Sequence, residues 1–100
     1  MGGRALFLDP EAVVEAEAAR DWYAERNPQA AEGFATELEA AVQAIMEAPE
    51  RWSKYVAGTR RFLLHRYPFY LVYRVRVSTI ELIAVAHARR RPGYWLARLG

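Results

Sequence analysis

The side chains with most to offer chemically crowd into one stretch, from Gly58 to Trp95. Read as strands, this stretch sets Arg61, His65, Tyr70, Arg74, Arg76, Glu81 and His87 on one side and an apolar set on the other. An exit follows in the order Arg89, Arg90, Arg91, Pro92, Gly93, Tyr94, Trp95. Arginine forks hold phosphate or carboxylate bidentately, and histidine is the side chain best placed to move a proton near neutrality. Arg61, Tyr70, Arg74 and His87 are therefore expected to converge. Such a set could cleave RNA: a ribose hydroxyl attacks the neighbouring phosphate, a base takes its proton, an arginine holds the charge, and an acid protonates the leaving oxygen. The same residues also suit a surface that only binds, or a sheet face carrying ordinary exposed arginines. The exit has two readings as well. Its rings could stack bases beside the arginines, or Tyr94 and Trp95 could simply close the core.

Several chemistries are excluded. The chain has no cysteine, so no disulfide framework, thiolate nucleophile or cysteine metal site is available. His65 and His87 are the only histidines and have no carboxylate cluster beside them, so no metal is expected. There is no Gly-rich phosphate loop, serine elbow or paired-carboxylate motif, and no cofactor is expected. No apolar run approaches the roughly 18 residues of a membrane span, and no signal peptide is visible, so no membrane partner and a cytoplasmic location are expected.

A net charge of +2 conceals a strong segregation. Residues 1–50 carry three arginines against eleven acids, a net of −8; residues 51–100 carry eleven bases against Glu81 alone, a net of +10. The second half therefore calls for an anionic partner. All the bases but Lys54 are arginine.

The elements that must position these groups can be read in order. Residues 4–8 form a short apolar strand. Asp9 caps a helix opened by Pro10 and running to about Arg26, with Val14, Ala18, Trp22, Ala19 and Tyr23 as its inward stripe. Asn27-Pro28 repeats the device and opens a second helix to about Ala48. Its stripe is Ala31, Phe34, Ala35, Leu38, Ala41, Val42 and Ile45, and Pro49 ends it. So short a join makes an antiparallel helical hairpin. Gly33 lies inside the second helix, either to admit a close neighbour or incidentally. Residues 49–57 connect, with Trp52 and Tyr55 covering the core edge.

Three strands follow, at about Arg60–Arg66, Tyr70–Val77 and Ile80–Ala88, with turns at Tyr67-Pro68-Phe69 and Ser78-Thr79. Pairing Val77 with Ile80 puts Val75–Leu82, Tyr73–Ala84 and Leu71–Ala86 on a dry face. Arg76–Glu81, Arg74–Ile83, Val72–Val85 and Tyr70–His87 then share the wet one. The expected fold is a single two-layer α+β domain over residues 1–100: a short strand, then a helical hairpin packed on a largely antiparallel sheet, in the order β-α-α-β-β-β. Met1, Gly2 and Gly3 are given no part in it.

Three clusters carry a family resemblance: Gly58-x-Arg60-Arg61, Arg66-Tyr67-Pro68-Phe69-Tyr70 leading into a strand, and Ala84-Val85-Ala86-His87-x-Arg89-Arg90-x-Pro92-Gly93-Tyr94-Trp95. With Asp9-Pro10-x-Ala12 and Trp22-Tyr23 upstream, they resemble toxins of the ParE/RelE superfamily of bacterial type II toxin–antitoxin systems, from about Ala5 to Arg98. The resemblance implies a small toxin neutralised by a cognate antitoxin, whose flexible C-terminal segment wraps it. ParE-like members inhibit DNA gyrase. RelE-like members cut messenger RNA on the ribosome, using basic residues and a late tyrosine or histidine. On the RelE-like alternative the catalytic candidates are Arg61, His87, Arg89 and Tyr94, forming a metal-independent endoribonuclease. Binding of antitoxin or target would fall to Arg60, Arg61, Tyr70, Arg74, Arg76, Arg90, Arg91 and Trp95. The lysine-rich approach of ribonuclease members is absent, and the Ala-His-x-Arg-Arg ending favours the ParE-like side, with gyrase as the expected target. A non-toxic, antitoxin-binding relic is the third reading.

Overall fold

The computed structural model describes residues 3–100, so Met1 and Gly2 lie outside the described residues. Strand β1 (Ala5–Leu8) leads into helices α1 (Pro10–Arg26) and α2 (Pro28–Glu47). A two-residue strand β2 (Ser53–Lys54), unforeseen in the connector, precedes β3 (Arg60–Leu63), β4 (Phe69–Val75) and β5 (Thr79–His87). Single 3-10 turns occupy Val56–Gly58 and Leu96–Leu99. The sheet order is β1-β5-β4-β3-β2, with β1 parallel to β5 and the other pairs antiparallel. This is the expected α+β class.

Both helix starts form as their sequences dictate. The Asp9 carboxylate accepts from Glu11 N at 2.8 Å, and Asn27 Oδ1 accepts from Gln29 N at 3.0 Å. Asn27 also ends α1, donating its backbone N–H to Tyr23 O, so one residue closes one helix and opens the next. In α2 the expected stripe holds: Ala31, Phe34, Ala41 and Ile45 are buried. In α1 it is rotated. Val14 and Trp22 are 58% and 53% exposed, while Ala12 and Ala19 are buried and Ala16 and Tyr23 pack beside them. Alanines lie all round α1, so its apolar pattern has no sharp direction, and the face with the small residues approaches the sheet.

Gly33 is not incidental. A Cβ there would lie 2.4 Å from the Tyr67 hydroxyl, which donates to Ala30 O at 2.8 Å. The Tyr67 ring is held edge-on by Tyr23 and Phe34, so it has little room to retreat. Strand β3 ends early, at Leu63, because α2 captures the next turn: Glu37 accepts from the backbone N–H groups of His65 and Arg66.

The register of β4 and β5 differs from expectation. The hairpin loop is Val77-Ser78, closed by Arg76 N donating to Thr79 O, and Val77 is 97% exposed rather than on the dry face. Partners run Val75–Ile80, Arg74–Glu81 and Tyr73–Leu82, then jump to Val72–Ala84, Leu71–Val85, Tyr70–Ala86 and Phe69–His87. Ile83 is the extra residue of a β-bulge. A bulge breaks the two-residue alternation, so side chains beyond it change faces. Ile80 and Leu82 face the helices; Ile83, Ala84 and Ala86 belong to the opposite cluster; Val85 returns to the helical side.

The presumed wet face is covered. The C-terminal segment folds back over it, with Trp95 fully buried on Tyr70, Val72, Ile83, Ala84 and Ala86, and Tyr55, Tyr94 and Leu99 around it. One half-buried carboxylate fixes this return. Strand β1 ends at Leu8, opposite Leu82, so the rest of β5 has no strand neighbour on that side among the described residues. Glu15 of α1 fills the gap, accepting from Val85 N at 2.9 Å, from the Tyr94 hydroxyl at 2.6 Å and from both terminal nitrogens of Arg98 at 3.0 and 2.9 Å. Arg98 also donates to Ile83 O at 3.0 Å, so the pair satisfies both a donor and an acceptor of the bulged edge.

We expect Glu15→Gln to lower stability by about 3 kcal/mol, because it leaves the half-buried Arg98 without its counter-charge; a loss of unfolding free energy below about 1 kcal/mol in urea titration would show the network to be dispensable. Gly33→Ala should destabilise by about 1–3 kcal/mol despite its helix propensity, and adding Tyr67→Phe should recover part of the loss in a double-mutant cycle. The phenols of Tyr23, Tyr70, Tyr73 and Tyr94 all ionise above the usual 10.0, chiefly because burial disfavours phenolate, with Tyr73 at about 12. The folded chain thus holds these protons more tightly than the unfolded one. Stability should be complete below pH 10 and fall as pH climbs from 10 towards 12, measured by urea titration at fixed ionic strength.

Candidate functional site

The expected convergence of Arg61, Tyr70, Arg74 and His87 does not form. Arg61 sits opposite Val72, on the face covered by the C-terminal segment. Its guanidinium lies 4.5 Å from the centroid of the Tyr55 ring and 5.8 Å from that of Tyr70. Tyr70 is 7% exposed, and burial first, then its contact with Tyr55, raises its phenol. Arg74 points to the same face but is committed: its Nε meets Glu81 Oε1 at 2.7 Å, and Nη1 donates to Leu99 O at 3.2 Å. The acid expected opposite Arg76 therefore pairs with Arg74, because the loop is one residue earlier than the sequence pattern implied.

His87 is on the other face. Past the bulge it turns towards α1, edge-on to Phe69 at 4.9 Å, and its Nδ1 accepts from Arg89 N at 3.0 Å. There it lines a cavity of about 460 Å³ with Ala18, Trp22, Tyr23, Pro68 and Arg90. The walls are largely apolar, and Glu15, His87 and Arg90 supply its polar groups. Arg61 and His87 are thus separated by the sheet itself.

The exit residues divide likewise. Arg89 and Arg91 are exposed, with no carboxylate within 4.0 Å among the described residues. Arg90 stacks on Tyr94, 3.7 Å from the ring centroid, and lies 3.7 Å from Glu15 Oε2. The Tyr94 hydroxyl is held by Glu15, and burial followed by that carboxylate pushes its pKa well above the usual range. Trp95 has no exposed surface to offer a partner; its Nε1 is buried without a hydrogen-bond acceptor among the described residues. Arg60 and Arg76 sit at the far end of the sheet. Arg60 donates to Glu50 O and Trp52 O, and the Arg76 carbonyl accepts from Arg4.

Chemically, the arrangement offers cations and ring faces in three separate places, and Arg61 and His87 do not share one. No group of three metal-ligating side chains occurs among the described residues. No helix there is long and apolar enough to cross a membrane. Sequence reasoning missed Glu15, one acid among eleven in its half and counted there only as charge. It also missed Arg98, whose lone position beyond the buried Trp95 was the available signal. Trp22 was placed inward, yet it stands half-exposed at the rim of the His87 cavity.

With this geometry in hand, comparison with known proteins is direct. The family model described as the ParE toxin of the type II toxin–antitoxin system, parDE, matches residues 6–92. No curated protein matches the chain. A solved structure of the chromosomal ParDE toxin–antitoxin system from P. aeruginosa superposes with a TM-score of 0.76 at 20% identity, covering 86% of this chain and 97% of that one. An arginine-to-alanine double mutant of the E. coli toxin RelE in the free state superposes with a TM-score of 0.60 at 18% identity, covering 87% of this chain and 85% of that one. The structural likenesses establish the shared fold, and the family match over most of the length places the chain itself in the ParE toxin family of type II toxin–antitoxin systems.

Proposed function

We propose that this toxin acts by binding and inhibiting DNA gyrase, and that a cognate antitoxin neutralises it in the cytoplasm. The observation that carries the first part is the separation of the candidate acid–base groups. Cutting RNA requires a base, an acid and a cation around one phosphate. Here Arg61 lies on one face and His87 on the other, and the Tyr94 hydroxyl donates its hydrogen bond to Glu15. A burial-raised phenol that already serves a carboxylate is a poor proton donor to a leaving oxygen near neutrality. Binding needs no such convergence. Exposed Arg89 and Arg91, Arg61 on its two rings, and the apolar cavity beside Trp22 offer contacts that a protein target can use separately.

The antitoxin part rests on the family and on charge. The sheet half carries a net of +10, which suits an acidic, amphipathic segment.

One pair of assays tests the target. Purified toxin should inhibit gyrase supercoiling, and His87→Ala, which removes no buried packing beyond its edge contact with Phe69, should still inhibit. Neither protein should cleave messenger RNA on programmed ribosomes. Unchanged supercoiling at high excess, together with ribosome-dependent cleavage lost in both Arg61→Ala and His87→Ala, would overturn the proposal in favour of the RelE-like reading.

A further inference from the structure

At the end of the sheet opposite His87, three arginines from distant parts of the chain line one cleft. Arg4 precedes β1, Arg60 opens β3 and Arg76 follows β4; the antiparallel alternation brings these three points to the same edge of the fold. The cleft has a volume of about 350 Å³, and Glu50, Gly58, Val75 and Val77 complete its lining. Two of the guanidiniums are held by main-chain carbonyls. Arg4 Nε donates to Arg76 O at 2.8 Å, and Arg60 Nη1 donates to Glu50 O at 3.0 Å and Trp52 O at 2.7 Å. Carbonyls fix direction without cancelling charge. No carboxylate lies within 4.0 Å of any of the three among the described residues, Glu50 included. An arginine has five N–H donors, so each retains several for an incoming oxyanion.

We propose that this cleft is a binding site for a carboxylate of an acidic protein segment. Three arginines that line one cleft without a carboxylate partner, two of them held by main-chain carbonyls, would take up a carboxylate with little further loss of side-chain freedom in those two. The rim decides between anion sources. Val77 stands 97% exposed at the hairpin tip and Val75 lines the cleft, so an apolar residue next to the carboxylate gains a contact. A phosphodiester backbone gains nothing from either valine, and it brings further charges towards Glu50. An aspartate or glutamate beside an aliphatic side chain satisfies both the floor and the rim. The site stands apart from the His87 cavity and from Arg61, and it does not depend on which target the toxin attacks.

The test titrates the folded toxin, by calorimetry, with a short N-acetylated peptide alternating glutamate and leucine, and with oligothymidylate of equal length. The wild type should bind the peptide, and Arg76→Glu should weaken it by about tenfold or more. The Arg76 side chain makes no hydrogen bond or ion pair among the described residues, so this variant should keep its thermal midpoint. Arg60→Gln should weaken the peptide similarly, and Arg66→Gln, an exposed cation at the other end of the sheet, should leave it unchanged. An Arg76→Glu variant that binds the peptide as wild type does would overturn the proposal. So would absence of peptide binding, an equal loss in Arg66→Gln, or oligothymidylate binding more tightly than the peptide and lost in Arg76→Glu.

Discussion

The structure depends on how a strand copes with an edge that its neighbour covers only halfway. Beyond Leu82, β5 has no strand partner on the β1 side among the described residues, and bare backbone groups at a buried edge are costly. Glu15 and Arg98 resolve this with side chains. The carboxylate accepts from Val85 N, the guanidinium donates to Ile83 O, and each neutralises the other at 2.9 Å. Because Glu15 belongs to α1 and Arg98 to the last turn, the repair also joins the hairpin, the sheet and the C-terminal segment. Tyr94 and Arg90 attach to the same carboxylate, so the basic exit is positioned from within the core.

The bulge residue Ile83 carries one of the two groups that this pair satisfies, and the bulge has the largest consequence for function. A single inserted residue turns the end of β5 over. Ala84 and Ala86 move under Trp95, where their small size admits the indole, and His87 moves to the side of α1. The sheet thereby acquires a second core in place of an open cationic face. Arginines that would have stood together are distributed: Arg61 on aromatic rings, Arg74 on Glu81, Arg60 on main-chain carbonyls. Arginines without a carboxylate partner among the described residues stand at both ends of the sheet, Arg89 and Arg91 at one and the Arg4, Arg60 and Arg76 cleft at the other. Such a distribution suits a protein that is held along its length by partners better than one that closes on a single phosphate.

The chain by itself determined its local structure. Asp9-Pro10 and Asn27-Pro28 each combine a side-chain acceptor with a residue that lacks an N–H, and each starts a helix where it stands. The α2 stripe, the helical hairpin and the strand order from β3 to β5 were legible because they depend on spacing and on short connections. The segregation of charge was legible for the same reason, as was the family. Tertiary structure decided the rest. The orientation of α1 needed the sheet, since alanines on every side leave its own pattern undirected. The parity of β5 needed the bulge, which follows from edge groups supplied by Glu15 and Arg98, 70 and 15 residues from the groups they satisfy. Gly33 acquired its purpose only when Tyr67 arrived from 34 positions away. The candidate site was therefore legible in composition and not in assembly. Residue types and charge are written locally, but a face of a sheet is fixed by counting residues along a strand, and one bulge imposed from outside the strand changes the count.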